Sequence, residues 1–255
     1  PFILRRLKKD VLGELPEKIE TTMLADLTEE QKKLYLAFLQ DVKGEIGREI
    51  ETVGFERSRL RILAALTRLR QLCCHPALFI ENYTGESGKM LLLEEILQES
   101  IESGHKILLF SQFTGLLRLI RKRLEDLKIS FLYLDGSTPP AERGYLVNSF
   151  NEGNGSVFLL SLKAGGTGLN LTGADTVIHC DPWWNPAVEE QATDRSYRIG
   201  QTKPVYVIKL VAKGTIEEKI LALQEKKRKL IDAVIQPGET LLSRMTGEEI
   251  RALFE

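Results

Sequence analysis

The sequence has little of several residue types on which whole classes of protein depend. Three cysteines among 255 residues are too few for a disulfide framework, which indicates a reducing, cytosolic setting. Twenty glycines and nine prolines are too few for a collagen-like or linker protein. No apolar run approaches the roughly 18 residues of a membrane span, so no membrane partner is expected. The first residues are charged and lack both Met and a secretory leader, which suggests a piece of a longer protein.

Signatures of a self-sufficient nucleotide hydrolase or a metal site are missing as well. Residues 85–90 read GESGKM and resemble a P-loop, but Tyr83 occupies the place of its first glycine. Met90 stands where a Mg²⁺-binding hydroxyl is required, and the chain has no D-E-x-H run. Cys73, Cys74 and His75 have no C-x-x-C partner, so no metal site is predicted.

The residue composition is that of a globular chain with balanced charge. Apolar residues make up 43% and charged residues 28%, with a formal net charge of −1, so a sizeable core is expected. Residues 57–70 carry five arginines and no acidic residue. A solvated helix face is the commoner meaning of such a patch, and a nucleic-acid surface is the alternative.

The pattern of the chain changes near residue 85. Residues 1–85 are predicted to be mainly helical, whereas apolar runs and amphipathic segments alternate from residue 89 onward. The predicted strands are 107–110, 131–134, 157–160, 176–180 and 205–211. The predicted helices in this part are 89–101, 114–127, 140–151 and 187–198, with a long helix from about 215. This alternation predicts an α/β fold, a parallel sheet with helices on both faces.

Three of the loops that follow predicted strands are rich in small polar residues. Their sequences are SQFT at 111–114, DGST at 135–138 and SLKAGGTGLN at 161–170. Loops at the carboxyl ends of parallel strands share one edge, where backbone N–H groups and hydroxyls can bind an anion. Tight packing of the turns would explain any one of them, but the three together favour an oxyanion or a phosphate chain.

A fourth loop and the helix beyond it carry further candidates. In DPWWNP, at 181–186, the two tryptophans either cap the core or offer a surface to nucleic acid. The predicted helix then reads QATDRSYRIGQ at 191–201, so Gln191, Arg195 and Arg198 would share one helix face. This face is expected at the carboxyl edge of the sheet, where ligands bind. Two guanidinium groups there can clamp a polyphosphate, or they can pair with Glu190 or Asp194.

Taken in order, these segments resemble the C-terminal half of the Swi/Snf-type DNA translocases, a family of superfamily-two helicases. The segments that carry the resemblance are PFILRRLKKDV…LPEKIE, LRQLCCHP, KILLFSQFT, YLDGST, SLKAGGTGLNL, DPWWNP and QATDRSYRIGQ. It implies an interlobe linker and helical protrusion at 1–85, a second RecA-like motor lobe at 86–212 and bracing helices at 213–255. The P-loop and the acidic residues that hold Mg²⁺ would belong to an N-terminal lobe, so this chain alone is expected not to hydrolyse ATP.

The resemblance also implies roles for individual residues. Arg195 and Arg198 correspond to arginine fingers, Gln191 opens their motif, and Gly168 and Asn170 correspond to nucleotide contacts. The residues implied to hold the phosphates of one DNA strand are Ser111, Gln112, Gly136, Ser137, Lys163, Ala164, Gly165 and Gly166. Those implied to contact duplex DNA are Trp184 and Asn185.

The implied activity is ATP-dependent translocation along double-stranded DNA. The implied partners are duplex DNA, the N-terminal RecA-like lobe of the same protein and a protein being remodelled, in a DNA-associated setting that is cytoplasmic in a prokaryote and nuclear in a eukaryote. Two alternatives stay open: a lobe of a strand-separating helicase, and a non-catalytic RecA-like module that only docks or binds DNA. Two arginines in one motif argue against the docking module, which would not need them.

Overall fold

The strands of the protein form one parallel sheet. The computed structural model describes residues 15–164, 168–231 and 247–254. Within them the strands are β1 (Lys18–Ala25), β2 (Ile107–Ser111), β3 (Phe131–Leu134), β4 (Val157–Ser161), β5 (Thr176–His179) and β6 (Val205–Ala212). Their order is β1-β6-β5-β2-β4-β3, and every neighbouring pair is parallel. The carboxyl ends of all these strands therefore lie at one edge of the sheet.

Helices connect the strands and extend beyond them. They are α1 (Glu29–Val53), α2 (Phe55–Cys74), α3 (Gly88–Glu102), α4 (Thr114–Asp126), α5 (Pro140–Asn151), α6 (Pro186–Thr193), α7 (Ile216–Ile231) and α8 (Gly247–Phe254), with a short 3₁₀ helix at Pro76–Leu78. Across the described parts of the chain, none of these helices combines the length and the hydropathy of a membrane span. The five predicted strands and the helices between them are confirmed, apart from small shifts at their ends and a shorter α6.

Both faces of the sheet are covered. In β2, Ile107 and Leu109 pack in a cluster with α3 and α4, whereas Leu108 and Phe110 pack in a second cluster with α5 and α6. This alternation follows from the period of two in a strand. Burial on both faces explains why β2 and β4 consist of uninterrupted apolar residues up to their final serine.

The protrusion lies between β1 and β2 in the chain and contains α1 and α2, which pack against each other. Their buried side chains form a third cluster with residues from α7 and α8. Helix α1 begins where the sequence places a capping site, because Thr28 Oγ1 accepts the Gln31 N–H at 3.2 Å and Gln31 Oε1 accepts the Thr28 N–H. Helices from early and late parts of the chain therefore share one hydrophobic core.

The helical prediction for residues 1–85 is wrong at β1. Lys18–Ala25 is an edge strand whose register runs from Lys18 opposite Val205 to Ala25 opposite Ala212. An edge strand is only partly buried, so its sequence, KIETTMLA, lacks the apolar run that marks the other strands. Residues 1–14, which include the LRRLKKD segment, lie outside the described residues, and the boundaries of the three predicted units stay predictions.

Candidate functional site

The loops after β2, β3 and β4 meet at the carboxyl edge of the sheet, as predicted. Ser111 at the end of β2 is in register with Ser161 at the end of β4, and Leu134 is in register with Leu160. The Leu162 N–H then donates to the Ser111 carbonyl at 2.9 Å, which holds two of the loops together. Residues 111–113, 135–138 and 162–164 are called the edge loops below.

The predicted DNA contacts in the edge loops differ in exposure. Gly136, Ser137 and Lys163 are exposed and Gln112 is half-buried. Ala164 is 4% exposed, and its N–H donates to Ser161 Oγ, so it offers no side chain to a ligand. Gly165 and Gly166 lie outside the described residues.

Ser111 does not face solvent, which corrects its prediction as a phosphate contact. Its side chain is 2% exposed, and its hydroxyl donates to Asp181 Oδ1. Ser111 Oγ also accepts the Phe113 N–H at 3.0 Å. Ser111 therefore shapes the first edge loop from inside.

The second edge loop is ordered around Asp135. Ser137 donates its N–H and its hydroxyl to Asp135 Oδ1 at 2.8 and 2.6 Å, and the Tyr133 hydroxyl donates to Oδ2. These bonds, first of all the one from the Ser137 hydroxyl, lower the pKa of Asp135. Because both Ser137 donors are used internally, Ser137 orders this loop and leaves Gly136 at its exposed turn.

Trp184 and Asn185 both have internal roles. Trp184 is 7% exposed and belongs to the core cluster of the protrusion, with the Arg70 guanidinium 5.2 Å from its ring centre. Asn185 Oδ1 accepts the Ala187 N–H at 3.1 Å and caps α6. The ring of Trp184 is not available for stacking on DNA in this conformation, so the core-capping alternative describes it.

The two candidate arginines lie beyond a helix rather than on one. Helix α6 ends at Thr193, and residues 194–201, called the arginine loop below, continue in turns. Ser196 Oγ donates to the Ala174 carbonyl at 2.8 Å. This tertiary contact holds residue 196 in a turn rather than in a continued helix. Arg195 and Arg198 therefore share no helix face, and Arg195 is 7% exposed whereas Arg198 is exposed at the surface.

The arginine loop lies away from the edge loops, which corrects its predicted position at the carboxyl edge. A helix that follows β5 has to return the chain to the start of the parallel strand β6. The Gln201 amide accordingly donates to the Ala174 carbonyl at 2.7 Å, and Lys203 pairs with Asp175 at 3.4 Å. Since Ala174 and Asp175 immediately precede β5, this loop borders the amino ends of β5 and β6.

The structure brings the predicted nucleotide contacts to the arginine loop. The connection between β4 and β5 leads from the carboxyl edge toward the amino ends, and its Leu171 N–H donates to the Arg195 carbonyl at 2.9 Å. Gly168 and Asn170 precede Leu171 and are exposed, and Gly168 has a φ of +56°, which suits glycine. Gln191 is exposed in the last turn of α6.

Charge is concentrated where the two arginines meet. Burial, and then the nearby charge of Arg198, lower the pKa of Arg195, while Asp194 opposes the shift. A guanidinium stays protonated at neutral pH, so a bound anion would offset first the cost of burying the Arg195 charge and then its repulsion from Arg198.

Sequence reasoning missed the buried charges beneath the edge loops. Arg70, assigned to a basic patch, is 1% exposed and pairs with Asp181. Its burial is readable from spacing, because position 70 lies four residues after Leu66 and three before Cys73, both on the apolar face of α2. Lys89, the lysine of the rejected P-loop resemblance, is also internal and lies 2.6 Å from Glu217.

Comparison with known proteins shows which family this chain resembles. Residues 88–200 match the family described as helicase conserved C-terminal domain, and residues 1–78 match the SNF2-related domain. The Sulfolobus solfataricus SWI2/SNF2 ATPase C-terminal domain is 35% identical, with a TM-score of 0.74 over 93% of this chain and 98% of that one. The chain belongs to the SWI2/SNF2 ATPase family. It corresponds to the C-terminal lobe of these ATP-dependent helicases and translocases, and the predicted RecA-like fold is confirmed.

Other relatives extend the comparison. The Sulfolobus solfataricus SWI2/SNF2 ATPase core in complex with dsDNA is 38% identical, with a TM-score of 0.77 over 99% of this chain and 54% of that one. A SWI/SNF-related regulator of chromatin from Mus musculus (subfamily A member 1) is 38% identical over 94% of this chain and 24% of its own length. The chain spans about a quarter of the length of the curated relatives it matches.

Proposed function

We propose that this chain is the C-terminal motor lobe of an ATP-dependent translocase that moves along double-stranded DNA. In this proposal the edge loops contact DNA phosphates, and the arginine loop faces ATP held between this lobe and an N-terminal lobe. The observation that carries it is the bond from Leu171 to the Arg195 carbonyl. That bond supports the proposal, because it joins the segment that follows Gly168 and Asn170 to Arg195.

The donors of the arginine loop fit a polyphosphate. A guanidinium is permanently charged and presents a planar fork of N–H groups that matches phosphate oxygens. The repulsion between Arg195 and Arg198 is the kind that such an anion offsets. ATP would supply the phosphoanhydride bond whose hydrolysis drives movement, and Arg195 and Arg198 would stabilise negative charge on its terminal phosphate.

Supplying these arginines from the second lobe would link chemistry to movement. Hydrolysis would then require the two lobes to be closed, and reopening would follow it. We propose that Mg²⁺ is held by the N-terminal lobe, because the segment of this chain that resembles a P-loop has Tyr83 and Met90 at decisive positions.

The edge loops suit a DNA backbone better than base recognition. The exposed groups are Lys163 and the turn at Gly136, and Gly165 and Gly166 join them by sequence. Gln112 is half-buried, and its side-chain Nε2 is buried. A cation and backbone donors contact phosphates, which fix the position of a protein on DNA without reading its sequence. The dsDNA complex of the Sulfolobus relative supports duplex DNA as the partner.

A phosphate-release assay tests the division of labour between the lobes. The 255-residue chain by itself is expected to hydrolyse ATP no faster than background, with or without DNA. DNA-stimulated turnover by this chain would contradict the proposal. A strand-displacement assay on a protein with both lobes distinguishes translocation from strand separation, since only the second activity releases a single strand.

A further inference from the structure

A buried ion pair joins the helical protrusion to the first edge loop. Arg70 Nη2 on α2 lies 3.6 Å from Asp181 Oδ2, which follows β5, and both side chains are almost completely buried. The same nitrogen donates to the Pro182 carbonyl. The guanidinium also lies 5.5 Å from the ring centre of Phe113 and 5.2 Å from that of Trp184.

Asp181 also accepts hydrogen bonds from residues at and after the end of β2. Its Oδ1 accepts the Ser111 hydroxyl, and its Oδ2 accepts the Gln112 N–H at 3.4 Å. Ser111 Oγ in turn accepts the Phe113 N–H. One carboxylate therefore orients three consecutive residues, and Arg70 holds that carboxylate in place.

We propose that Arg70 and Asp181 are positioning residues, through which the helical protrusion sets the conformation of the first edge loop for contact with DNA. The proposal rests on the proposed function for its DNA contact, but the positioning of residues 111–113 can be measured without DNA. Neither residue touches DNA in this proposal, since both act through Ser111, Gln112 and Phe113.

The chemistry of the pair suits orientation better than stability alone. Replacing a buried ion pair by apolar residues is often neutral or stabilising, because desolvation offsets the attraction between the charges. An apolar pair cannot reproduce the directional contacts that these charged side chains make. The planar guanidinium of Arg70 pairs with the Asp181 carboxylate, donates to the Pro182 carbonyl and lies beside two rings. The hydrogen bonds that Asp181 accepts from Ser111 and Gln112 are directional.

A second buried pair in the same molecule provides a control for the loss of buried charge, although Lys89 also interacts electrostatically with Asp181, and Glu217 with Arg70. Lys89 Nζ lies 2.6 Å from Glu217 Oε2, with both side chains as deeply buried as those of Arg70 and Asp181. Lys89 also donates to the Cys180 carbonyl, and Glu217 accepts the Ala212 N–H. These contacts fasten α3 and α7 to the ends of β5 and β6 and do not involve residues 111–113.

The test compares two paired substitutions in the 255-residue chain. Arg70→Met with Asp181→Asn removes both charges of the first pair, and the new amide offers one acceptor where the carboxylate offered two. Lys89→Met with Glu217→Gln removes both charges of the control pair. Thermal melts establish that each variant folds. Ser111→Ala is a second variant, which removes the bonds that Ser111 Oγ makes to Asp181 and Phe113 and retains the ion pair and the Gln112 bond.

Two readouts are taken on each protein. Hydrogen exchange by NMR follows the Gln112 and Phe113 amides relative to the amides of β2, and fluorescence anisotropy gives the Kd for a short labelled duplex of mixed sequence at low salt. In the Arg70/Asp181 variant, we expect exchange at Gln112 and Phe113 to rise about tenfold, the size of one lost hydrogen bond, and the Kd to rise by a similar factor. Ser111→Ala should raise exchange at Phe113, and the control pair should change both readouts less than the Arg70/Asp181 variant does.

The outcomes separate the two proposals. Unchanged exchange at Gln112 and Phe113 in the Arg70/Asp181 variant would overturn the positioning role, as would equal changes in the control pair. If the Arg70/Asp181 variant does not fold, unchanged exchange at Phe113 in Ser111→Ala would overturn it instead. Faster exchange with no DNA binding by the unsubstituted chain would support the positioning of the loop and contradict the proposed DNA contact.

Discussion

The edge loops and the arginine loop are built in different ways, although both hold polar groups at the surface of one domain. The edge loops follow β2, β3 and β4 and are held by hydrogen bonds to Asp135 and Asp181. The arginine loop follows a short helix and is fixed by contacts to the chain just before β5. Because the two regions share none of these contacts, we expect DNA binding and ATP turnover to respond to different substitutions.

The largest expected effect comes from the arginine loop. In a protein that carries both lobes, Arg195→Ala or Arg198→Ala should lower DNA-stimulated ATP turnover about 10³- to 10⁵-fold, the usual contribution of an arginine finger. Steady-state phosphate release at saturating DNA measures this. The Kd for DNA should stay nearly unchanged, because the arginine loop lies away from the edge loops.

Two controls sharpen this prediction. Arg195 is buried, so a melt of each variant is needed, whereas exposed Arg198 can be replaced with less risk to folding. Lysine at either position should restore little turnover, because an ammonium group does not reproduce the fork of a guanidinium. Near-normal turnover in both alanine variants would make these arginines structural.

The next effect concerns Trp184, which the structure removes from the DNA surface. Trp184→Ala should destabilise the chain by about 3–5 kcal/mol, as expected for a large buried aromatic residue. That loss corresponds to a fall in Tm of roughly 6–20 °C for a domain of this size. Trp184→Phe should cost less, since it keeps a ring beside Arg70. An unchanged Tm together with weaker DNA binding would favour the stacking surface instead.

A smaller effect is expected at Lys163. Lys163→Ala should weaken binding to all duplex sequences alike and make the slope of log K against log salt shallower by about 0.9, the share of one phosphate contact. Lys203→Ala is the matched control, because Lys203 is exposed at the amino side of the sheet and pairs with Asp175. A salt titration in which both variants change the slope equally would remove the distinction between the two regions.

The smallest effect concerns the order of the second edge loop. The pKa of Asp135 is below its ordinary value of 3.8, chiefly because the Ser137 hydroxyl donates to it. The ionised carboxylate therefore adds stability that is present above pH 3.8 and is lost as the pH falls through the lowered pKa. Ser137→Ala should move the pKa of Asp135 up toward its ordinary value, which an NMR titration of its carboxyl carbon measures. An unchanged pKa would contradict the role given to Ser137.

The sequence was informative where strands are buried on both faces. The apolar runs at β2 and β4 predicted the parallel sheet, and that topology alone placed Gln112 and Lys163 at one edge. It was less informative where exposure or tertiary contact decides the structure. Edge strand β1 lacks an apolar run, and α6 stops early because Ser196 bonds to the Ala174 carbonyl, a contact between distant parts of the chain.

The sequence also did not predict which side chains of the candidate site are buried. Ser111 and Trp184 occur in segments that the family resemblance assigned to DNA, yet both are internal. The pairing that explains Ser111 joins positions 70 residues apart, so no local pattern reveals it. Arg70 could have been recognised from its place on the apolar face of α2, although its partner Asp181 could not.

A DNA titration of ATP turnover tests the separation of the two regions most directly. The proteins compared are the unsubstituted two-lobed protein, Arg198→Ala and Lys163→Ala, each at saturating ATP. The account predicts that Arg198→Ala lowers the maximal turnover and leaves the half-saturating DNA concentration unchanged. Lys163→Ala should raise the half-saturating concentration and leave the maximal turnover unchanged. If both variants altered the same parameter, the division of this lobe into a DNA edge and an ATP-facing arginine loop would be contradicted.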